Sequence, residues 1–202
     1  MCARFVVMDD KEIAEINSIL RDISMKFDGR GLVPKTGEVY PTDNVAVLTL
    51  EKGKPTLDLM RWGLPKWDGK GVVINARSEG IEDKKMFRQS FWNRRMVVPC
   101  TGYFEWQKVD GKGKVKYLFN EPSSPMVYMA GIYTPQEEGL ARFSILTRDA
   151  NAYVRDVHDR MPVLLYKHEL ARWLGDYGFA QDVLRRDGAK LIKVALQGDH
   201  MQ

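Results

Sequence analysis

Four short segments of the chain bring together residue types that could do chemistry. The first is Cys2. Initiator methionine is normally removed ahead of a small second residue, and cysteine is small enough. The chain would then begin with an amine and a thiol on adjacent carbons, a pair that no internal residue can imitate. An α-amine has a pKa of about 7.7–8.0, against about 10.4 for lysine, so far more of it is unprotonated at neutral pH. Such an amine attacks aldehydes to give a Schiff base. The neighbouring thiol can then close on the imine carbon and form a thiazolidine ring. The bland alternative is an incidental cysteine tucked under the first strand.

The other three segments supply polar groups in unusual company. Ile74-Asn75-Ala76-Arg77-Ser78-Glu79 is a polar burst directly after an apolar run. Asn75 offers a donor and an acceptor, and Arg77 a planar fork suited to phosphate; a strand-end turn would explain the same residues. In Gly102-Tyr103-Phe104-Glu105-Trp106-Gln107 a strand would put Glu105 among aromatic and apolar neighbours. Desolvation there raises a carboxyl pKa and suits it to proton transfer, whereas an edge strand would leave it in water. Val157-His158-Asp159-Arg160-Met161-Pro162 holds a histidine, the side chain that ordinarily titrates near neutral pH, just ahead of a proline that limits local freedom. A solvent-exposed loop histidine reads the same way.

Composition bounds the frame around these groups. The chain has 202 residues, 44% hydrophobic and 29% charged, which suits one soluble domain. No apolar run approaches the roughly 20 residues that span a bilayer. The start, MCARFVVMDDKE, is neither a signal nor a transit peptide, so an intracellular protein is expected. Two cysteines, Cys2 and Cys100, make neither a disulfide framework nor a Cys-rich zinc site, and no phosphate loop or nucleophile elbow occurs. The net charge of +4 is unevenly spread: residues 61–120 hold 13 Lys/Arg against 6 Asp/Glu, together with Trp62, Trp67, Trp92 and Trp106. Cations for phosphates interleaved with flat rings for bases suit a single-stranded nucleic acid. A solvated face over an aromatic core is the plainer account.

The elements that must position these residues follow from periodicity. Ile13, Ile16, Leu20 and Ile23 predict an amphipathic helix over 9–26, with Asp9 and Asp10 as candidate caps. Val45–Leu50 and Thr56–Trp62 read as strands joined by a turn at Lys52-Gly53-Lys54-Pro55. Further strands are expected at Gly71–Ala76, Met96–Gln107, Val115–Phe119, Met126–Tyr133, Arg142–Thr147 and Leu191–Leu196, with a hairpin turn at Asp110-Gly111-Lys112-Gly113. Helices are expected at Glu82–Arg94, His168–Leu174 and Ala180–Arg185. Many short strands with a few helices predict a single-domain α+β fold, with a barrel-like mixed β-sheet and several flanking helices.

Taken in order, Met1-Cys2-x-Arg4-Phe5, Trp62-Gly63-Leu64-Pro65-x-Trp67, Asn75-Ala76-Arg77-x-Glu79, Gly102-Tyr103-Phe104-Glu105-Trp106 and His158-Asp159-Arg160-Met161-Pro162 resemble the SRAP family of abasic-site-processing proteins. The resemblance runs from residue 1 to about residue 175. It implies one SRAP domain over residues 1–202 that senses abasic sites in single-stranded DNA. Cys2 would trap the opened sugar's aldehyde as a thiazolidine crosslink and shield the lesion during the damage response. Asn75 would orient the amine and the sugar. Glu105 would manage amine protonation, and His158 would protonate the ring oxygen as the sugar opens. Arg4, Arg77 and Arg160 would hold flanking phosphates, with Trp67 and Trp106 near the bases. The resemblance implies no metal or other cofactor, a monomer, no membrane partner, and a DNA-associated location in the cytoplasm, or in the nucleus of a eukaryote. It also carries a peptidase label, for removal of residues ahead of Cys2.

Two departures from the family pattern stand out. Ala3 replaces the usual glycine, which would cost about 1 kcal/mol if that position needs positive φ. Lys190–Gln202 diverges from the family's closing segment. Two other readings stay open: a cysteine peptidase using Cys2, His158 and Asn75, and a non-catalytic single-strand-binding module.

Overall fold

The computed structural model describes residues 2–8, 13–109 and 113–196. In chain order these form β1 (Phe5–Val7), α1 (Ala14–Lys26), β2 (Gly37–Val39), β3 (Asn44–Glu51), β4 (Lys54–Trp62), β5 (Leu64–Pro65), β6 (Val72–Val73) and β7 (Asn75–Arg77). Then come α2 (Arg88–Asn93), β8 (Arg95–Cys100), β9 (Gly102–Lys108), β10 (Lys114–Asn120), β11 (Val127–Thr134) and β12 (Arg142–Asp149). The last are β13 (Arg160–Pro162), β14 (Leu164–Leu165), α3 (Leu170–Gly175), α4 (Tyr177–Arg185) and β15 (Ile192–Leu196).

The strands sort into two large sheets. One runs β15-β10-β9-β1-β2 and is antiparallel throughout. The other is mixed. Its strands β12, β4, β3, β8 and β11 close into a ring, because β11 also pairs with β12. Short β13, β14 and β7 extend it. The expected α+β class therefore holds, and the barrel-like sheet takes the form of this ring of strands.

The two sheets meet through aromatic side chains. Phe5 of the first sheet packs on Trp62, centroids 5.1 Å apart, and Trp62 stacks on Phe143 at 6.4 Å. All three are fully buried. Burying a large apolar side chain stabilises by roughly 1.5–3 kcal/mol, so this row fixes the start of the chain against the second sheet. Cys2 lies in the same continuous core. Ile16, Ile19 and Ile23 of α1 cover that core from outside.

Local chemistry explains where the elements differ from expectation. Helix α1 starts at Ala14, with no side-chain cap, and Asp9 and Asp10 lie outside the described residues. The β3–β4 turn is Lys52-Gly53, both at positive φ (48° and 76°), as a tight hairpin requires. Pro55 therefore sits within β4, opposite Leu50. Gly71–Ala76 divides into β6 and β7. The helix expected over Glu82–Arg94 is confined to Arg88–Asn93; turns after the positive-φ Gly80 already bury Ile81 and Phe87. The run Met96–Gln107 is two strands in different sheets. The chain changes sheet at Thr101, whose hydroxyl donates to the Val6 carbonyl and accepts from the Met8 amide. A Cβ on Gly102 would lie 2.8 Å from the Phe119 carbonyl, so this corner has no room for a side chain. His168 belongs to a 3-10 turn over Lys167–Glu169 ahead of α3. The hairpin residues Asp110–Lys112 lie outside the described residues, but β9 and β10 pair as it demands, with Lys108 opposite Lys114.

Candidate functional site

Three strands from the two sheets converge on Cys2. β7 pairs in parallel with β12, with Asn75 opposite Ile145. From there Asn75 Nδ2 donates to the Cys2 carbonyl at 2.8 Å. β1 lies against β9, with Phe5 opposite Tyr103. Tyr103 and Glu105, two residues apart, share one face of β9. Thus a residue 73 positions away in sequence holds the chain start in place beside a buried carboxyl. Ala3 is not among the described non-glycine residues at positive φ, which are Thr42 and Lys52 alone. Alanine therefore costs no left-handed strain after Cys2.

Burial sets the electrostatics of this cluster. The Cys2 thiol is pushed well above its ordinary pKa, first by burial and then by Glu105 and Cys100. Glu105 is raised by burial, with His158 acting in the opposite direction. Cys100, also buried, is pushed up to about 12. A raised carboxyl can carry a proton at pH values where an exposed glutamate has lost it.

His158 enters from the turn before β13, where its amide donates to the Val154 carbonyl at 3.0 Å. Its Nδ1 lies 2.7 Å from Asp159 Oδ1 and 3.0 Å from the Arg160 amide nitrogen. A protonated Nδ1 donates to Asp159, and a bare Nδ1 accepts from Arg160, so the ring has a defined neighbour in either state. Gln107 Nε2 donates to the Asp156 carbonyl at 2.7 Å and ties this turn to β9, the strand that carries Glu105.

Beside the cluster runs an open groove of about 530 Å³, lined by Arg77, Trp106, Lys108, His158 and Arg160 among others. The arginines singled out from sequence have different surroundings. The Arg77 side chain is exposed and has no hydrogen bond or ion pair among the described residues, so its fork is available to a phosphate. The Arg4 guanidinium lies between the Tyr40 and Trp106 rings, 4.3 and 4.9 Å from their centroids, and pairs with Glu38 at 3.4 Å. Arg160 is buried and forms a bidentate pair with Glu79, both contacts 2.8 Å, plus bonds to Asp149 and the Thr147 carbonyl. That pairing holds Glu79 below its ordinary pKa although burial works against it. A phosphate reaching Arg160 would have to compete with two carboxylates.

The tryptophans also divide. Trp62 is core. Trp67 is 82% exposed on the turn between β5 and β6, flanked by Lys66 and Lys70. Trp106 is half-buried and already stacked on Arg4, while Trp92 is exposed at the end of α2. Three participants carry no sequence signal. Glu38 and Tyr40 come from a three-residue strand and its flank. Lys116 is buried between Glu38, at 2.5 Å, and the Phe104 ring, at 4.3 Å. Among the described residues no three metal-ligating side chains converge, and no helix is long and apolar enough to cross a membrane.

Known proteins resemble this chain over most of its length. The abasic site processing protein YoaM of Bacillus subtilis is 31% identical over 200 residues, covering 92% of this chain and 84% of that protein. YedK of Escherichia coli, of the same description, is 31% identical over 86% of this chain and 79% of its own length. HMCES of Xenopus tropicalis, also an abasic site processing protein, is 28% identical over 70% of this chain and half of its own. A solved structure from Bacteroides thetaiotaomicron superposes with a TM-score of 0.77 at 25% identity, covering 98% of this chain and 93% of that one. A phage-related protein from Bordetella bronchiseptica gives 0.75 at 22% identity, covering 98% and 95%. The match to the family itself extends over residues 1–194, past the sequence motifs and into β15. With that span and these relatives, the chain belongs to the SOS response associated peptidase (SRAP) family.

Proposed function

We propose that this protein, as one domain, recognises abasic sites in single-stranded DNA and captures them covalently through Cys2. The observation that carries the reading is the 2.8 Å bond from Asn75 to the Cys2 carbonyl beside the buried Glu105 carboxyl. It fixes the chain start without using the Cys2 nitrogen, which is an amide while Met1 is attached and a primary amine once Met1 is gone. The bond to the carbonyl is unaffected by that change.

The chemistry follows from the groups present. His158 protonates the sugar ring oxygen as the lesion opens to its aldehyde. The Cys2 amine adds to the carbonyl carbon, Glu105 takes and returns protons at nitrogen, and one water leaves to give the imine. The Cys2 sulfur then closes the thiazolidine ring. Arg77 and Trp106 line the groove in which the flanking strand would lie, and Trp106 has the Arg4 guanidinium on its face. Exposed Trp67 offers a face to a base. The relatives named for abasic-site processing support this substrate.

The family description retains a peptidase reading. A general cysteine peptidase needs its thiolate as the first attacking group, and reactive thiols have lowered pKa values. Here the thiol is raised by burial and by Glu105. An aminothiol trap attacks with nitrogen first and tolerates that shift, so peptide cleavage is read here as confined to release of Cys2. The test is incubation with a single-stranded oligonucleotide holding one abasic site. An adduct that survives heat and detergent should form with the wild type and be lost in Cys2→Ala. Equal adduct from Cys2→Ala overturns the proposal, and tight lesion-independent binding with no adduct would favour a non-catalytic module. Cleavage of unrelated peptides in trans would favour the general peptidase.

A further inference from the structure

Tyr103 carries a group that neither the fold nor the proposed capture chemistry uses. Its ring lies nearly flat against Phe119, with centroids 5.1 Å apart and planes 11° apart, so packing fixes its orientation. The residue is fully buried, and its hydroxyl has no hydrogen-bond partner among the described residues. A buried hydroxyl left unpaired is costly, and such groups in native structures call for a specific explanation, a chemical role among them.

Its address suggests the explanation. Tyr103 stands opposite Phe5, three residues from Cys2, and on the face of β9 that carries Glu105. Burial holds the phenol well above its ordinary pKa, and the Cys2 thiol is the foremost of the charged neighbours that add to this, ahead of Glu105 and Cys100. The phenol therefore keeps its proton and can donate it in a hydrogen bond. Cys100 already has the Val127 carbonyl at 3.5 Å, whereas among the described residues the Cys2 thiol has only a long 3.9 Å contact to the Arg4 carbonyl. Asn75 Oδ1, which is also buried with no partner among the described residues, is an acceptor and cannot help an anionic sulfur.

We propose that the Tyr103 hydroxyl donates a hydrogen bond to the Cys2 sulfur while the thiazolidine ring closes, stabilising the thiolate that the buried site otherwise disfavours. The proposal rests on the reading that Cys2 captures an aldehyde. In this step the thiol proton passes to the Glu105 carboxylate and a C–S bond forms at the iminium carbon. The C=N π pair moves onto nitrogen and neutralises it. Nothing is oxidised or reduced. Tyr103 keeps its own proton and serves as a donor only.

Separate timing of the two covalent steps tests this. Cyanoborohydride trapping counts the imine, and the heat-stable adduct counts the closed ring. Tyr103→Phe should form imine at the wild-type rate and close it roughly ten- to a hundredfold more slowly, the span expected for a hydrogen bond to a charged group. Trappable imine should therefore accumulate. 3-Fluorotyrosine at position 103, a more acidic donor of nearly the same shape, should close the ring faster than the wild type, an effect no packing role produces. Unchanged closure in Tyr103→Phe overturns the proposal, as does an equal fall in both steps with fluorotyrosine no faster than tyrosine. If the wild type forms neither imine nor adduct, the capture reading itself fails, a result distinguishable from either.

Discussion

Replacing Asn75 with alanine separates the geometry of the site from the stability of the fold. The change removes the 2.8 Å bond to the Cys2 carbonyl. A net hydrogen bond of this kind contributes about 0.5–1.5 kcal/mol, and leaving the carbonyl unpaired where it is buried costs about 1–3 kcal/mol. Against that, the variant also deletes Asn75 Oδ1, a buried acceptor with no partner, and so relieves a penalty of about the same size. The two orphan terms offset each other, and a loss of about 1 kcal/mol remains. For a chain of this size that is a fall of roughly 2–4 °C in Tm. The effect on rate should be far larger. Once Cys2 is untethered its amine no longer meets the aldehyde in a fixed direction, and a misplacement of about 1 Å can cost about a hundredfold. Calorimetry paired with quenched-flow measurement of adduct formation on an abasic oligonucleotide reads both numbers. A crosslinking rate within twofold of wild type would refute the argument that Asn75 positions Cys2. A Tm fall beyond about 8 °C would refute the cancellation, and any loss of rate would then report global damage.

Other variants probe the remaining terms. Arg77→Ala should leave Tm unchanged, weaken single-strand binding, and reduce the slope of log K against log salt by about 0.7, the contribution of one phosphate contact; an unchanged slope in a binding titration counts against a phosphate role. Arg160→Met strips Glu79 and Asp149 of their partner and leaves the Thr147 carbonyl exposed to an apolar side chain. With both carboxylates reaching water, the loss should be about 2–3 kcal/mol rather than the larger cost of a fully buried pair, read by denaturant unfolding. Glu105 has a folded-state pKa above its ordinary value of 4.5, so its favourable contribution is complete below that value and is lost as pH rises through the folded one. Glu105→Gln should therefore melt higher than wild type near neutral pH, with the gap closing as pH falls toward 4.5; a gap that widens on acidification contradicts the raised carboxyl. Gly63→Ala meets φ of 114° and Val72 Cβ at 2.7 Å, and should cost about 2 kcal/mol or more, seen as a Tm fall of at least about 4 °C.

Local periodicity carried the elements that one side chain pattern decides. The isoleucines of α1 and the apolar runs of β3 and β4 could be read directly, because the isoleucine spacing gives the helix one buried face and the continuous apolar runs put the strands in the core. The corner at Thr101 could not. A continuous β-like run says nothing about which sheet each half joins, and here a hydroxyl bridging Val6 and Met8 decides it. The helix expected before Arg88 failed because spacing records which residues go inward, not whether turns can bury them equally well. In the site, residue types flagged Cys2, Asn75 and Glu105 because their chemistry is unusual where they stand. The structure adds how they meet: Asn75 reaches Cys2 across 73 positions. Arg160 and Glu79 are 81 apart, and Arg4 needs Glu38 from β2, Tyr40 just after it and Trp106 from β9. Such partners are set by strand register, which no local pattern encodes. The tryptophan count was similarly mute: Trp62 is core and Trp67 is 82% exposed, though both lie in the same motif.

The central claim is that the chain start itself is the reactive group. Intact-mass measurement of the purified protein after incubation with abasic single-stranded DNA, followed by peptide mapping, tests it most directly. The account predicts a species equal to the chain without Met1 plus the oligonucleotide minus one water, with the modification on Cys2. An adduct mapped to a lysine, or formed while Met1 is still attached, would contradict it.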